Sequence, residues 1–530
     1  MSMTEGSRIG SPASPAAAKS VAVIDIGTAS IRMAIAEIQP SGSIHVLERL
    51  SQSVGLGKDT FIRGFLTKAT IEECVRVLRS YRRRLEEYQI AQSPQQVRVV
   101  ATSAVSEAQN RLSLVDRIYS ATGFQVEVID AAELHRAMYL GIRPLLEAEP
   151  VLRSATALIL EVGGGSTDLL VLRGKTVLYT HTYRLGSLRL RETLEAYRAP
   201  LGKLRRILES DIERTLQEMR QQFDRGSNLE MVALGGDVRF AATQLLGQDG
   251  STRLNTISLD RLQRFTDRMF RLSEDELVHK FHLAVSDAES LAPALLTYCE
   301  IARGLGLDKV HVSEFNLRAA LLTEMAVGAV WTEDFTEQIV RSALDLAHKF
   351  HVDEAHATHV AQLSRELFHQ MQDLHQLEPR SALVLYLAAL LHEVGMYVND
   401  RAFHKHSLYV INNSHLFGLG SRDVLLVALV ARYHRRGSPK PIHQGYSSLD
   451  RADRIAVAKM AAILRIADSL DASRSQRIKH FVCASETDRF VVNVSDVDDL
   501  SLEQLSVQQK GPLFEEVFGV PVLLRRRRVS

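Results

Sequence analysis

One pattern occurs twice in this chain. Ile24-Asp25-Ile26-Gly27-Thr28 joins the apolar runs SVAVIDIG and IRMAIAEI, and Leu160-Glu161-Val162-Gly163-Gly164-Gly165-Ser166-Thr167 lies inside ATALILEVGGGSTDLLVL. Each is an apolar strand, an acid, an apolar residue, a glycine loop, a hydroxyl residue and a second apolar strand, the signature of two strands joined by a tight turn. Helical periodicity follows the first hairpin in TIEECVRVLRSYRRRLEEY, where Ile71, Cys74, Val75, Val77 and Leu78 fall on one face. Further strands are expected in QVRVVATSAV and QVEVID. Strands alternating with helices predict an α/β sheet domain, and the repeat predicts two related subdomains facing a shared cleft.

Glycine-rich turns let backbone N–H groups converge on an anion, and Ser166 and Thr167 add hydroxyl donors. The acid before each loop, Asp25 or Glu161, would repel a phosphate. A divalent cation between them removes the conflict, since Mg²⁺ commonly binds through one or two carboxylates together with phosphate oxygens. The residues therefore point to a metal-assisted phosphate site, the alternative being plain hairpin turns. A third turn, Leu234-Gly235-Gly236-Asp237, follows the short strand MVA.

Charge balance narrows the partners. Lys and Arg number 64 against 63 Asp and Glu, which argues against a DNA-binding or membrane-surface protein held by bulk charge. No run approaches the ~18–20 apolar residues that span a bilayer; the longest, Ala382 to Leu391, reads as a buried helix. Cys74, Cys299 and Cys483 are far apart and match no zinc or redox spacing, as in a protein of a reducing compartment. Residues 1–19, rich in Ser, Pro and Ala without an apolar core, read as a disordered tail rather than a signal peptide. A cytoplasmic location is expected.

The segments VIDIGTASIRM, VVATSAVSEAQN, VEVIDAAELHRAMYLGI, LEVGGGSTDLLVL, YRLGSLRLRE and ALGGDVRFAA occur in the order, and nearly the spacing, of the exopolyphosphatase / guanosine pentaphosphate phosphohydrolase family, which residues 20 to 330 resemble. The resemblance implies duplicated actin-like, ribonuclease-H-type subdomains at 20–150 and 151–330, and Mg²⁺-dependent release of terminal phosphate from polyphosphate or guanosine pentaphosphate. A homodimer is also implied. By the same resemblance Asp25 and Glu161 would hold Mg²⁺. Thr28, Gly163, Gly164, Gly165, Ser166, Thr167, Gly235 and Gly236 would hold phosphate.

Four positions depart from the family's pattern. Ser106 stands where an arginine is usual, and Leu134 where the water-activating acid is usual, with Glu133 one residue before it. Glu161 and Asp168 exchange the usual Asp and Glu, each moving a carboxylate by about one methylene. Glu133, Glu161 and Asp168 are the remaining catalytic candidates. A slow enzyme, an enzyme rewired through Glu133, and a phosphate-binding sensor or regulator that no longer hydrolyses all fit this pattern.

The character of the chain changes near residue 331. Residues 335–475 are helical and rich in histidine and resemble the HD-type domain that many family members carry. That resemblance places a second divalent metal at His356, His392, Glu393 and Asp468, with Glu393 in place of the usual Asp; a structural, ligand-lining role is the alternative. His404, Lys405, His406, Arg432, His434, Arg435, Arg436 and Lys440 could line a groove for a long polyanion or form a solvated basic face. Residues 476–530 read as a small α+β unit: strands in HFVCAS and RFVVNVS, one helix in LSLEQLSVQQKGPLFEEVFG, and a closing strand. Its last arginines, Arg525 to Arg528, are a solvated terminus or a contact for an anionic ligand or membrane surface.

Overall fold

A computed structural model describes residues 18–90, 93, 95–196, 201–221, 228–247, 254–327, 333–435, 437–495 and 497–526. Of the tail expected at residues 1–19, residues 1–17 lie outside the described residues, as do Arg436, Arg527 and Arg528, whereas Lys19 already belongs to the first strand. The chain divides into two compact units, Met1–Val330 and Trp331–Ser530.

The first unit is built on two sheets. In one, β1 (Lys19–Ile26), β2 (Ser30–Ile38), β3 (Ile44–Ser53), β4 (Val97–Ala101) and β5 (Val126–Val128) lie in the order β3-β2-β1-β4-β5. The other holds β6 (Thr156–Val162), β7 (Thr167–Arg173), β8 (Thr176–Tyr183), β9 (Leu229–Leu234), β10 (Leu254–Ser258) and β11 (Lys309–Ser313), in the order β10-β11-β9-β6-β7-β8. Both sheets run an antiparallel three-strand meander into a parallel neighbour: β1 pairs antiparallel with β2 and parallel with β4, and β6 does the same with β7 and β9. The repeat seen in the sequence is thus a repeat of topology, extended in the second sheet by β10.

β1 is buried on both faces, so it reads as a continuous apolar run. Ala22, Ile24 and Ile26 pack with Cys74, Leu78 and Tyr81 of helix 68–87. Val21 and Val23 face the opposite way, towards Leu317, Ala320 and Leu321 of helix 317–327. Gly27 N–H donates to Ser30 O at 3.0 Å, and Gly163 N–H donates to Ser166 O at 2.8 Å. The same hydrogen-bonded turn therefore closes both hairpins.

The second unit carries helices at 333–349, 354–370, 380–391, 403–412, 421–432 and 451–470, followed by β12 (Phe481–Ser485), β13 (Phe490–Val494) and β14 (Val522–Arg526) in one sheet. The apolar run at 382–391 is a buried helix, as its composition predicts. Gln370 bridges the helical and sheet portions: its Nε2 donates to Phe481 O at 3.1 Å and its Oε1 accepts from Cys483 N at 2.7 Å. The single helix expected after β13 is two, 501–510 and 512–518, because Pro512 cannot continue a helix but suits the first turn of the next. Among the described residues no helix is long and apolar enough to cross a membrane.

Candidate active site

The two hairpin turns meet at a cleft of about 500 Å³ in the first unit. Asp25, Gly27, Thr28, Ser30 and Arg32 line it from the first hairpin, and Glu161, Gly163, Gly164, Ser166 and Asp168 from the second. The turns touch: a Cβ on Gly164 would come within 2.9 Å of the Thr28 side chain. Thr28 Oγ1 also lies 3.4 Å from Ser103 Oγ. Of the expected phosphate residues, Gly165 and Thr167 are not at the cleft surface. Thr167 donates its hydroxyl to Leu185 O, and Gly165 is buried against Gly186. A Cβ on Gly186 would fall 2.3 Å from the Gly165 carbonyl carbon, so only glycine permits this approach.

Carboxylates reach the cleft by register. Glu161 is the antiparallel partner of Asp168, so both side chains stand on the same face of the sheet. In the first hairpin the same relation pairs Asp25 with Arg32. Asp25 Oδ2 accepts from Arg318 Nη1 at 3.0 Å. Asp168 Oδ1 accepts from Thr182 Oγ1 at 2.5 Å and lies 3.5 Å from His135 Nε2, while its Oδ2 accepts from Ser166 Oγ at 3.3 Å. Burial, then repulsion from Asp168, pushes the Glu161 carboxyl up to about 7. Burial, then Asp287, pushes Asp237 up to about 6.

Such a crowd of acids is costly alone and suits a hard cation, which takes oxygen donors. Among the described residues, however, the groups of three or more ligand atoms within 4.8 Å of one another lie in the second unit. A cation in the cleft could therefore draw only part of its shell from these carboxylates.

The third turn closes the floor. Gly235, at φ 122°, caps helix 236–246, and helix-start N–H groups lacking intrahelical acceptors are available to an anion. Tyr298 ties this turn to the second: its Oη accepts from Val162 N at 2.9 Å and donates to Leu234 O. Tyr298→Phe strips both bonds from buried backbone and is expected to destabilise the first unit by about 1–3 kcal/mol, read from denaturant unfolding.

Glu133 takes a different place from that of a rewired base. It is absent from the cleft lining, which includes its neighbours Asp130 and Leu134. Its carboxylate accepts from Asp130 N at 3.1 Å while Asp130 Oδ1 accepts from Glu133 N, closing a capping box at the start of helix 131–148. Glu133→Gln preserves that box and is expected to change any phosphate release by less than about twofold; a loss beyond tenfold would return Glu133 to the chemistry.

Arg32, Arg318, Asp237 and His135 are site residues that the sequence reading missed. Arg32 could have been found from its spacing to Asp25, which equals that of Asp168 to Glu161. Arg318 lies 293 residues from its partner and leaves no local signal.

A Ppx/GppA phosphatase family model matches residues 34–328, and a model of Ppx/GppA phosphatase domain III matches residues 340–509. A guanosine-5'-triphosphate,3'-diphosphate pyrophosphatase of Photobacterium profundum is 22% identical over 452 residues, 84% of this chain and 86% of that protein. One of the same description from Aliivibrio fischeri is 23% identical over 466 residues, 88% and 89% of the two chains. Among solved structures, an exopolyphosphatase from Cytophaga hutchinsonii has a TM-score of 0.52 at 21% identity, covering 59% of this chain and 100% of its own.

Proposed function

The chain belongs to the Ppx/GppA phosphatase family, and on that footing we propose that its cleft is a slow, Mg²⁺-dependent phosphoanhydride hydrolase, releasing terminal phosphate from inorganic polyphosphate or guanosine pentaphosphate. The observation that carries this reading is the pair of turns with the same internal hydrogen bond facing one cleft, with Glu161 and Asp168 in register at its wall.

Asp25 and Glu161 would hold Mg²⁺, which would neutralise the charge of the phosphoryl group. The Gly164 N–H and the Thr28 hydroxyl, with the start of helix 236–246, would orient the terminal phosphate. Asp168 is left to accept the proton of the attacking water. Both its oxygens already take hydrogen bonds, from Thr182 and Ser166, so part of its accepting capacity is committed before water arrives. Slow turnover follows.

The binding-only reading keeps one specific support: Leu134 lines the cleft where an acid would activate water. The test is incubation of the full chain with polyphosphate and with guanosine pentaphosphate, with and without Mg²⁺, measuring binding and free phosphate together. Mg²⁺-dependent release is expected. Tight Mg²⁺-dependent binding with no release above the uncatalysed rate selects the sensor; neither binding nor release defeats both.

A further inference from the structure

Asp168 is held from behind by a residue that the substrate cannot reach. Its antiparallel partner on β8 is Thr182, so Glu161, Asp168 and Thr182 form one row across β6, β7 and β8, with their side chains on the same face. Helix 131–148 packs against β7 and β8. Two of its residues, four apart and therefore on one face, bond that hairpin. Tyr139 Oη donates to Lys175 O, in the turn between β7 and β8, at 3.2 Å. His135 Nε2 lies 3.3 Å from Thr182 Oγ1 and 3.5 Å from Asp168 Oδ1. Asp168 and Thr182 line the cleft, whereas His135 is 0% exposed and absent from the lining.

Counting hydrogens fixes which group donates. Thr182 Oγ1 has one hydrogen and lies 2.5 Å from Asp168 Oδ1. An ionised carboxylate only accepts, so the hydrogen goes to Asp168. Towards His135 the same oxygen can then only accept, and His135 Nε2 carries the hydrogen of that bond. The chain runs one way, from imidazole N–H to hydroxyl to carboxylate, and each donor strengthens the next. Oδ1 of Asp168 is thereby taken up. Oδ2 keeps one longer bond, from Ser166 Oγ at 3.3 Å, and Ser166 lines the cleft.

Given the hydrolase reading above, on which this rests, we propose that His135 is a positioning residue for phosphate release: through Thr182 it holds Oδ1 of Asp168 and leaves Oδ2 to take the proton of the attacking water. One proton passes from water to Oδ2. The water oxygen bonds phosphorus as the bond from phosphorus to the bridging oxygen breaks, and the leaving phosphate keeps that electron pair. His135 retains its own hydrogen throughout. Its effect is geometric, because a base must stand within about 2.6–3.2 Å of the proton it takes, and a misplacement of about 1 Å can cost roughly a hundredfold.

The test measures kcat and KM of the full chain with Mg²⁺ and whichever of polyphosphate and guanosine pentaphosphate it hydrolyses faster. His135→Leu fills the space without a donor and is expected to lower kcat at least tenfold with KM changed less than about twofold. His135→Gln, whose amide nitrogen stands at the reach of Nε2, should return kcat to within about threefold of wild type. Because His135 acts through the hydroxyl, Thr182→Val combined with His135→Leu should be no slower than Thr182→Val alone. Should His135→Leu not fold, His135→Asn, whose amide stops short of Thr182, replaces it in the same comparisons. Equal losses in His135→Leu and His135→Gln overturn the proposal, as do losses that multiply in the double variant. Wild-type release that His135→Leu leaves at full kcat defeats this proposal alone, whereas no release by the wild type defeats the hydrolase reading and this proposal with it.

Discussion

Leu134→Glu is expected to raise the rate of phosphate release by at least about a hundredfold. Leu134 lines the cleft at the start of helix 131–148, next to the capping residue Asp130. A carboxylate there would stand beside the bound phosphate's water with both oxygens uncommitted, in contrast to Asp168. General base catalysis from a positioned carboxylate contributes typically 10²–10⁴-fold. The helix start also favours a negative charge, by roughly 0.3–1 kcal/mol, so the variant should fold. Adding Ser106→Arg should lower KM further, because a guanidinium can bind phosphoryl oxygens in a fork where a hydroxyl cannot. Ser106 lines the same cleft. An unchanged kcat in Leu134→Glu, with Mg²⁺-dependent substrate binding intact, would mean that water activation does not fail at this position.

The contrast between Leu134 and Glu133 shows where sequence reading stops. Both are one-dimensional neighbours of the expected acid, but successive residues of a helix diverge by about 100°, so only one can face the cleft. A capping box consumed Glu133, and its signature, Asp130 followed three residues later by Glu133, was legible in advance. The hairpins β1/β2 and β6/β7 were equally legible, because strands buried on both faces are continuous apolar runs. β3 was not: it is an edge strand of alternating half-buried and exposed residues, IHVLERLSQS, rich in charge and hydroxyls. His434 was grouped with a basic surface because Arg432 and Arg435 flank it. The end of helix 421–432 instead turns it inward, where its Nδ1 bonds Ala431 O. Contacts such as Asp25 with Arg318 arise only when strands and helices distant in sequence pack, and no window of residues contains them.

In the absence of divalent cations, the stability of the first unit is expected to fall as pH rises from about 5 to 8, and Mg²⁺ should restore it most at the upper end. Glu161 is raised from 4.5 to about 7 and Asp237 from 3.8 to about 6, each mainly by burial. A carboxyl with a folded pKa above its unfolded one binds its proton more tightly in the folded chain. Its contribution is fully present below the unfolded pKa and is lost as pH climbs through the folded value. At about 1.4 kcal/mol per pKa unit, Glu161 alone accounts for a few kcal/mol across that window. Glu161→Gln, neutral at every pH, should therefore make the metal-free chain more stable than wild type at pH 8 while abolishing Mg²⁺-dependent stabilisation. That is the familiar exchange of stability for a charged site. Asp237→Asn should flatten the profile by a smaller amount, acting on its lower-pH part up to about pH 6, with its gain over wild type persisting above. Thermal unfolding across this pH range, in chelator and in Mg²⁺, checks each point, and a Glu161→Gln chain no more stable than wild type at pH 8 contradicts the electrostatic account. Carboxylates elsewhere in the chain pull the other way at acid pH. Asp267, whose Arg205 partner holds its pKa low despite burial, loses stabilisation only as pH falls towards and below the ordinary carboxylate range, outside the window in which the cleft acids act.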